Sequence, residues 1–398
     1  MIRITKQNRW AVLAASVALS AVALAGCSST NGGGGGSDTG EGNNLTGDIA
    51  AGSVGTVDQF ADMADICPAD AEAGSISLGV VDGGGTNSWS KTVLAEIESE
   101  AAKCAALGTV DYVAGSFDLE TTTSGITSLA AKGTDLILVI PDAGPGEAHL
   151  SAIRQATQAG STVVNFASDP QGTAGTDYLD YTDQSPKFVG KTKGEWLVNL
   201  LGDAGGNVVF FGGPAGALVS TQEFAGLQEV LADNPQVTLI NSEPIATNWD
   251  PAQAQQAMAG LLSGGDKIDA VIADYGAVAS GIIRAYEAAG IPLPPITTTD
   301  DNSLSCGFAD LKAANPSYEL ATVSSRTWNG RVALRKALAA FTGGSDPEPS
   351  IYNLALFEDS TGATAGTVTP EEACLPDAPA DATPSTLLTA DEINALFG

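Results

Sequence analysis

Short apolar runs alternate with longer amphipathic segments along most of the chain. The first run, residues 76–81, is apolar and rich in β-branched residues, so it predicts a buried strand. A loop with three glycines follows, and residues 91–107 then place apolar side chains at helical spacing, with Ser88 as the predicted N-cap. We expect a strand–loop–helix unit whose loop opens at the carboxyl end of its strand, where open α/β sheets bind ligands.

The same alternation continues through most of the remaining chain. Further strands are predicted at 110–114, 135–140, 162–166, 178–182, 207–211, 237–241, 268–273, 296–299, 319–323 and 352–357, with helices between most of them. Most of these runs are apolar throughout, as in parallel strands that are covered on both faces. They form two consecutive sets, each the size of one doubly wound domain. A crevice between two such lobes is the expected ligand site.

The amino terminus predicts export. Residues 1–26 combine a basic start with an apolar stretch that is too short to anchor the chain by spanning a membrane. The residues around Cys27 resemble a bacterial lipobox, in which the cysteine becomes the lipidated first residue of the mature protein. Residues 27–73 predict a flexible tether and lead-in, because Gly, Ser, Asn and Thr dominate as far as residue 55. The alternative is a secretory signal in which Cys27 occurs by chance.

Charge and cysteine content limit the partners and the kinds of site that the chain can have. The chain has 17 Lys and Arg against 47 Asp and Glu, a net charge of −30, so no nucleic-acid partner is expected. Four further cysteines in an exported chain suggest two disulfides with three possible connectivities. These cysteines are Cys67, Cys104, Cys306 and Cys374.

With no CxxC pair and a single histidine, His149, we predict no metal site, no cofactor and no catalytic residue. We expect His149 on the surface of a helix.

The glycine-rich loop at residues 82–89 does not fit a dinucleotide fingerprint. A GxGxxG motif read from Gly83 needs glycine where Ser88 stands. Asn87 and Trp89 instead combine a hydrogen-bonding amide with a large aromatic plane. This combination favours a loop that binds a ligand over a plain strand-to-helix turn.

Several short motifs occur in a fixed order along the two sets of strands. They lie at residues 78–81 with Asn87 and Trp89, 133–138, 212–216, 248–250, and 270–274 ahead of Gly281. In order and spacing they resemble the type I periplasmic binding proteins of sugar ABC transporters, the ribose-binding-like group. The resemblance extends over about residues 75–358.

The resemblance implies an α/β fold of two doubly wound parallel-sheet lobes, joined by a hinge that the chain crosses three times. The first lobe is expected at 74–182 plus 326–350, the second at 183–325 plus 351–376, and a carboxyl-terminal tail at 377–398. Since each pair then falls within or beside one lobe, the resemblance favours the disulfides Cys67–Cys104 and Cys306–Cys374.

The resemblance also implies a function. The protein is expected to bind a sugar or a similar neutral polyol in the cleft by hinge closure, and to deliver it to the membrane permease and ATPase of an importer. It is then a monomer and not an enzyme, and it is attached to the extracytoplasmic face of the cell membrane through lipid only.

The contact positions of the family map onto ten residues. They are Asn87, Trp89, Asp169, Trp249, Asp274, Tyr275, Asp300, Asp301, Ser325 and Arg326. The two indole rings are expected to pack on the C–H faces of a sugar, and the carboxylates to accept hydrogen bonds from its hydroxyls. Core packing of the tryptophans, and helix capping or turn formation by the aspartates, are the structural alternatives.

Two arginines that the family often carries are missing, because Pro170 and the pair Thr221–Gln222 stand in their places. Fewer bidentate hydroxyl contacts are then available, so a nucleoside or another non-sugar solute stays an alternative, and an anionic ligand is disfavoured. Two other functions also stay open. One is a ligand sensor of the same fold that signals to a membrane receptor, and the other is an exported glycosidase with two aspartates.

Overall fold

The computed structural model describes residues 46–49, 61–344 and 346–397. The predicted signal peptide, residues 1–26, and the predicted lipidation residue Cys27 lie outside the described residues. Within the expected tether and lead-in, the described part contains strand β1 (Thr46–Ile49) and helix α1 (Met63–Ile66). No helix in the described ranges is both long enough and apolar enough to cross a membrane.

The first lobe is built on a parallel sheet. Its strands are β1, β2 (Ile76–Asp82), β3 (Leu107–Ala114), β4 (Leu136–Ile140), β5 (Thr162–Phe166), β6 (Asp180–Gln184) and β13 (Ile351–Leu354). Their order across the sheet is β1-β13-β6-β5-β4-β2-β3, and each neighbouring pair is parallel. All residues of the central strand β4 are buried, as expected for a strand that is covered on both faces.

The second lobe repeats this plan. Its strands are β7 (Gly206–Gly212), β8 (Val237–Leu239), β9 (Ile245–Ala246), β10 (Ala270–Ala273), β11 (Ile296–Thr299), β12 (Leu320–Val323) and β14 (Glu358–Asp359). The order is β14-β12-β11-β10-β7-β8, and β9 also pairs with β7. The pair β12–β14 at the edge is antiparallel, whereas the other described pairs are parallel.

Helices cover both faces of each sheet. They are α2 (Ser88–Ala101), α3 (Leu119–Ala131), α4 (Leu150–Ala159), α5 (Pro186–Leu201), α6 (Leu218–Ala232), α7 (Pro251–Gly264), α8 (Gly276–Ala289), α9 (Asn302–Ala314), α10 (Asn329–Phe341), α11 (Pro370–Ala373) and α12 (Ala390–Phe397). In the first lobe, α2 and α10 pack on one face and α3 and α4 on the other. In the second, α7, α8 and α9 pack opposite α5 and α6. The prediction of two doubly wound parallel-sheet lobes is confirmed.

Local corrections concern the first loop and the only histidine. Helix α2 begins at Ser88, and Asn87 is its N-cap, because Oδ1 of Asn87 accepts a hydrogen bond from Ser90 N at 2.8 Å. The prediction of Ser88 as the cap was wrong. His149 is fully buried, not on the surface, and neither ring nitrogen has a hydrogen-bond partner among the described residues. Burial lowers the pKa of His149 to about 4.

The boundaries of the lobes differ from those implied by the resemblance. Strand β6 continues the first lobe to Gln184, and β13 pairs with β6, so residues 351–354 belong to the first lobe and not to the second. Tyr352 and Leu354 explain this placement, since both are buried in a cluster with Trp328 next to α10. The third crossing between the lobes therefore follows Leu354.

The carboxyl-terminal tail crosses between the lobes once more. Ser385 N donates a hydrogen bond to Asp300 Oδ2 in the second lobe at 2.7 Å. Thr386 Oγ1 and Leu387 N then donate to Glu96 Oε1 on α2 of the first lobe, at 2.5 Å and 2.7 Å. Helix α12 completes this path by packing against α2. The described chain thus crosses four times, one crossing more than the resemblance implies.

Two disulfides form within the described residues, and their pairing confirms the prediction. Cys67–Cys104 joins the residues that follow α1 and α2, with the Cα atoms 5.5 Å apart. Cys306–Cys374 joins α9 to the residue that follows α11, with the Cα atoms 4.7 Å apart. Because the second bond lies at the start of the tail, it fixes the tail to the second lobe before the chain crosses back.

Candidate functional site

A cavity lies between the two lobes, at the carboxyl ends of their central strands. This is the position at which doubly wound sheets bind ligands, since the loops of both lobes converge there. Seven of the ten residues predicted as contacts line it. They are Asn87, Trp89, Trp249, Asp274, Tyr275, Ser325 and Arg326.

The first wall of the cavity is the indole of Trp89. Its Nε1 donates a hydrogen bond to the backbone oxygen of Ser325 in the hinge at 2.8 Å. The guanidinium of Arg326 lies 5.9 Å from the centre of the Trp89 ring, within range of a cation–π contact. Trp89 therefore joins the first loop to the hinge and still presents its ring to the cavity.

Arg326 is the basic residue among those that line the cavity, and its charge is already paired. Nε of Arg326 lies 2.6 Å from Asp183 Oδ1, and a second nitrogen donates to Ala167 O at 3.1 Å. Asp183 is buried, so the pair neutralises itself inside the protein. An anionic ligand would have to compete with Asp183 for this guanidinium.

The second wall is the indole of Trp249, which is held from two sides. Its Nε1 donates to Asp274 Oδ2 at 3.2 Å. The ring lies directly on Gly213, where a Cβ atom would stand only 2.2 Å from the indole. Any side chain at Gly213 would therefore displace the ring, so glycine is required there by close approach.

Asp274 is the acid at the centre of the second-lobe wall. Besides Trp249, its Oδ2 accepts hydrogen bonds from Ser220 Oγ at 2.5 Å and from Gly213 N at 3.1 Å. Burial raises the pKa of Asp274, and these donors counteract the shift. Its Oδ1 is shielded from solvent and has no partner within the described part of the chain. That oxygen can accept a hydrogen bond from a ligand hydroxyl.

A buried ion pair lies close to Asp274. Lys193 Nζ lies 2.9 Å from Glu223 Oε2 and donates to Ala273 O at 3.1 Å. Burial raises the pKa of Glu223 to about 7, and Lys193 counteracts that shift while Asp274 adds to it. Helix α6, on which the family often carries an arginine, thus supplies the carboxylate of Glu223 instead. Lys193 on α5 neutralises this carboxylate.

Three predicted contact residues do not line the cavity. Asp300 is buried and accepts hydrogen bonds from Ser325 N at 2.5 Å and from Ser385 N at 2.7 Å. Both carboxylate oxygens of Asp300 are thus bonded to the hinge and to the tail. The tail could not be placed from the sequence, and it is the reason that Asp300 supports the scaffold.

The other two are used locally. Asp301 caps α9 by accepting from Ser303 N at 3.0 Å, and burial raises its pKa to about 6. Asp169 forms a turn by accepting from Gln171 N at 2.8 Å, and it lines a smaller adjoining cavity instead. For Asp169 and Asp301 the structural alternative stated from the sequence, turn formation or helix capping, describes the observed contacts, whereas Asp300 does neither and bonds to distant backbone.

Eight of the lining residues were missed by the sequence analysis, and the two that add a ring and an acid are Phe117 after β3 and Asp142 after β4. A repeat between the lobes could have revealed them. Phe117 is followed by Asp118 and a helix, as Trp249 is followed by Asp250 and a helix. Asp142 follows β4, which pairs with β2, and Asp274 follows β10, which pairs in the same way with β7.

Asp142 resembles Asp274 in chemistry as well. Its Oδ1 is shielded from solvent and has no partner among the described residues. Burial raises the pKa of Asp142 well above its usual range, and the neighbouring charge of Asp82 raises it further. Besides Trp89 and Tyr275, each lobe thus brings one further aromatic ring and one acid with a spare acceptor oxygen to the cavity.

Comparison with known proteins identifies the family. The model of the periplasmic binding protein domain matches residues 78–344. The chain belongs to this family. Most of both lobes and all the residues that line the cavity fall within the matched range, so the cavity lies in the part of the chain that the family shares.

Relatives of the chain are solute-binding proteins, not enzymes. The multiple sugar-binding periplasmic protein of Azospirillum brasilense is 26% identical over 203 residues, 46% of this chain and 56% of that protein. The ribose import binding protein of Salmonella typhimurium is 26% identical over 167 residues, 42% of this chain and 53% of that protein. The chain thus spans about half the length of these two relatives. The xylitol-binding protein of Mycolicibacterium smegmatis is 25% identical over 280 residues, 69% of this chain and 76% of that protein.

Solved structures share the fold at lower identity. The binding component of the arabinose ABC transporter from Shewanella sp. ANA-3 aligns with a TM-score of 0.63 at 19% identity, over 73% of this chain and 93% of that one. The Caulobacter myo-inositol binding protein aligns with a TM-score of 0.60 at 20% identity, over 73% of this chain and 94% of that one. These likenesses confirm the two-lobe architecture.

Proposed function

We propose that the protein is the extracytoplasmic solute-binding component of an ABC importer and that it binds a sugar or a similar neutral polyol between its lobes. The arrangement of Trp249 and Asp274 carries this proposal. Both residues line the same cavity, and together they supply an indole ring and a carboxylate oxygen that has no hydrogen-bond partner among the described residues. They match the C–H face and the hydroxyl groups of a polyol.

The charges around the cavity support a neutral ligand. Arg326 is paired with Asp183, and Lys193 with Glu223, so neither cation is left over for an anionic group. Asp142 and Asp274 have raised pKa values, which means that a full negative charge on each is disfavoured. A ligand that offers hydroxyl donors suits these two acids in either protonation state.

The names of the relatives support the same chemical class. They include proteins that bind ribose, several sugars and xylitol, and the structural neighbours include proteins bound to myo-inositol and arabinose. These ligands have several hydroxyls and no charge. Partners on the membrane would be the permease and the ATPase of an importer, and the binding protein would act as a monomer.

Attachment to the membrane through Cys27 is part of the proposal and is supported by the sequence alone. Cells that express the full chain and are fed radiolabelled palmitate should incorporate label into the wild type and not into C27A. Equal labelling of the two proteins would exclude a lipid on Cys27. The C27A protein should also migrate at the size of the chain without lipid, and it should be released from the membrane fraction.

A calorimetric panel tests ligand binding. We expect one-to-one binding of at least one of D-ribose, L-arabinose, D-galactose, xylitol and myo-inositol, with a dissociation constant of about 10 μM or lower. The variant Phe188→Ala is the matched control, since Phe188 is an exposed aromatic residue on α5 outside the cavity. Absence of binding of every panel ligand at millimolar concentration would contradict the proposal. If a nucleoside bound and none of the panel ligands did, the proposed ligand class would change from polyols to nucleosides.

A further inference from the structure

The same strained turn occurs at corresponding places in the two lobes. Ser116 and Phe117 precede α3 with φ angles of 54° and 58°, and Asn248 and Trp249 precede α7 with φ angles of 53° and 53°. Two successive left-handed residues that are not glycine are uncommon and cost free energy, so such strain is typically kept where it has a use. The next residue in each lobe is an aspartate N-cap with φ −100° and ψ 118°.

Each strained turn lays an aromatic ring on a glycine of its own lobe. A Cβ atom on Gly84 would stand 3.0 Å from Cζ of Phe117, and one on Gly213 would stand 2.2 Å from the indole of Trp249. Both glycines belong to the loop that follows the first strand of their lobe's repeat. The two loops are also pinned alike, since Gly85 N donates to Ser90 Oγ at 3.1 Å and Gly213 N to Ser220 Oγ at 3.0 Å.

The two rings meet across the interface between the lobes. Their centres are 6.0 Å apart and their planes are inclined by 38°. Both rings line the central cavity, and Phe117 also lines an outer groove that contains Pro214 and Asn248. Phe117 is 39% exposed, so one side of its ring faces the cavity and another faces the outside.

We propose that Phe117 is a gate residue, which closes against Trp249 and retains the ligand in the cavity. The proposal rests on the function proposed above. Trp249 is fixed by its hydrogen bond to Asp274, whereas the Phe117 side chain has no polar atom and is held by packing alone. Since the rings belong to different lobes, their contact forms only when the lobes are together. Removing the Phe117 ring should therefore open a path from the cavity to the outer groove.

A thiol inside the cavity tests the gate without any ligand. Ala167 lines the cavity and is buried, and cysteine differs from alanine by a single sulfur atom. The rate at which a maleimide modifies the A167C thiol is measured with the other cysteines in place, and the site is located by peptide mass mapping. We expect A167C/F117A to react at least about tenfold faster than A167C, because the opening no longer depends on ring movement.

Matched variants distinguish the loss of a gate from a general destabilisation of the structure. A167C/F188A removes a ring of similar exposure on α5 and should react within about twofold of A167C. A167C/F117Y keeps the ring and should restore slow labelling. Equal rates in A167C and A167C/F117A would overturn the proposal, and so would equal acceleration by F188A.

Dissociation kinetics give a second readout, with xylitol, D-ribose and myo-inositol as probes. For each probe that binds the wild type, F117A should raise the dissociation rate constant about tenfold and leave the association rate constant within a few-fold. An unchanged dissociation rate would contradict the gate. If no probe binds the wild type, the proposed function fails for these ligands, while the labelling rates still decide the gate.

Discussion

The two lobes bring the same parts to the cavity but hold them differently. In the second lobe, Trp249 is bonded to Asp274, and Asp274 in turn accepts from Ser220 and Gly213. In the first lobe, Phe117 has no such bond, and it is the more exposed of the two rings. Trp249 and Asp274 of the second lobe therefore form a preorganised wall, while Phe117 of the first lobe is the adjustable ring of the site.

The two cavity acids, Asp142 and Asp274, also differ in how firmly hydrogen bonds hold them. Asp274 has three donors on one oxygen. Asp142 instead neighbours a second acid, Asp82, which accepts from Gly84 N at 3.0 Å and from Tyr112 Oη at 3.2 Å. Burial raises the pKa of both Asp82 and Asp142. Since two nearby carboxylates disfavour a double negative charge, this pair is expected to retain a proton more readily than Asp274 does.

The largest expected effect is the loss of the second-lobe ring. Trp249→Ala should weaken binding of the panel ligand about 100-fold, whereas Phe117→Ala should weaken it only about tenfold, because the fixed ring is the better preorganised surface. Trp249→Phe should lie between them, since it keeps a ring and loses the bond to Asp274. Calorimetric titration measures all three. A greater loss in Phe117→Ala than in Trp249→Ala would reverse the assignment of wall and gate.

One buried group in each lobe, His149 and Glu358, should make stability respond to pH in opposite directions. Burial lowers the pKa of His149 in the first lobe from 6.5 to about 4, so the unfolded chain binds the extra proton and stability falls as the pH drops from 6.5 to 4. Burial raises the pKa of Glu358 in the second lobe from 4.5 to about 8, so the folded state binds the extra proton and stability falls as the pH rises from 4.5 to 8.

Urea unfolding across this range separates the two groups. Glu358→Gln should gain about 2 kcal/mol relative to the wild type at pH 8.5 and little at pH 4.5, because it removes the buried charge. Its amide oxygen can accept from one of Ser305 and Thr322, and its NH2 can donate to the hydroxyl oxygen of the other. His149→Leu should gain a similar amount at pH 4.5 and little at pH 7.5. A difference between wild type and variant that stays constant with pH would show that these groups do not titrate as described.

The glycines under the two rings extend the comparison. Gly213→Ala should weaken binding about 20-fold, because a Cβ at 2.2 Å must displace the indole of Trp249. Gly84→Ala should cost only about threefold, because its Cβ would meet the far end of a movable Phe117 ring at 3.0 Å. Gly260→Ala on α7 has open space around it and is the control. Equal losses at Gly84 and Gly213 would mean that both rings are held alike.

The smallest effects are expected from the acids. Asp274→Asn should weaken binding about tenfold, since an amide cannot accept from three donors and offer a spare acceptor as well. Asp142→Asn should cost about threefold and should reduce the pH dependence of affinity, because its carboxyl shares protons with Asp82. Titrations at pH 5, 6.5 and 8 measure both. A steeper pH dependence in Asp142→Asn than in the wild type would contradict this role.

Much of the fold followed from the sequence. The predicted bounds of strands β5 and β11 agree with the structure residue for residue, and α8 and α10 are among the helices predicted between strands. These elements are periodic or uniformly apolar and end at clear signals, such as Gly290 after α8. Helix α9 was not predicted, although Leu304, Phe308 and Leu311 are at helical spacing and helix capping was stated as the alternative role of Asp301.

The role of a site residue could be predicted from the sequence where it depends on one loop. It could not be predicted where it depends on a contact with a distant part of the chain. Trp249 could be placed because it stands ahead of a helix, and Asp274 because it follows a strand directly. The role of Asp300 could not, because its partner Ser385 lies 85 residues away in a tail without strong periodicity. Phe117 and Asp142 required a comparison of the lobes with each other, and that repeat is visible only once both turns are aligned.

The position of a bound ligand tests the central claim most directly. In a crystal structure of the complex with the tightest ligand of the panel, we predict a carbon face of the ligand within about 4 Å of the Trp249 indole and hydroxyls within about 3 Å of Asp142 and Asp274. The Phe117 ring should cover the outer side. A ligand that lies elsewhere, or that contacts neither acid, would contradict the account.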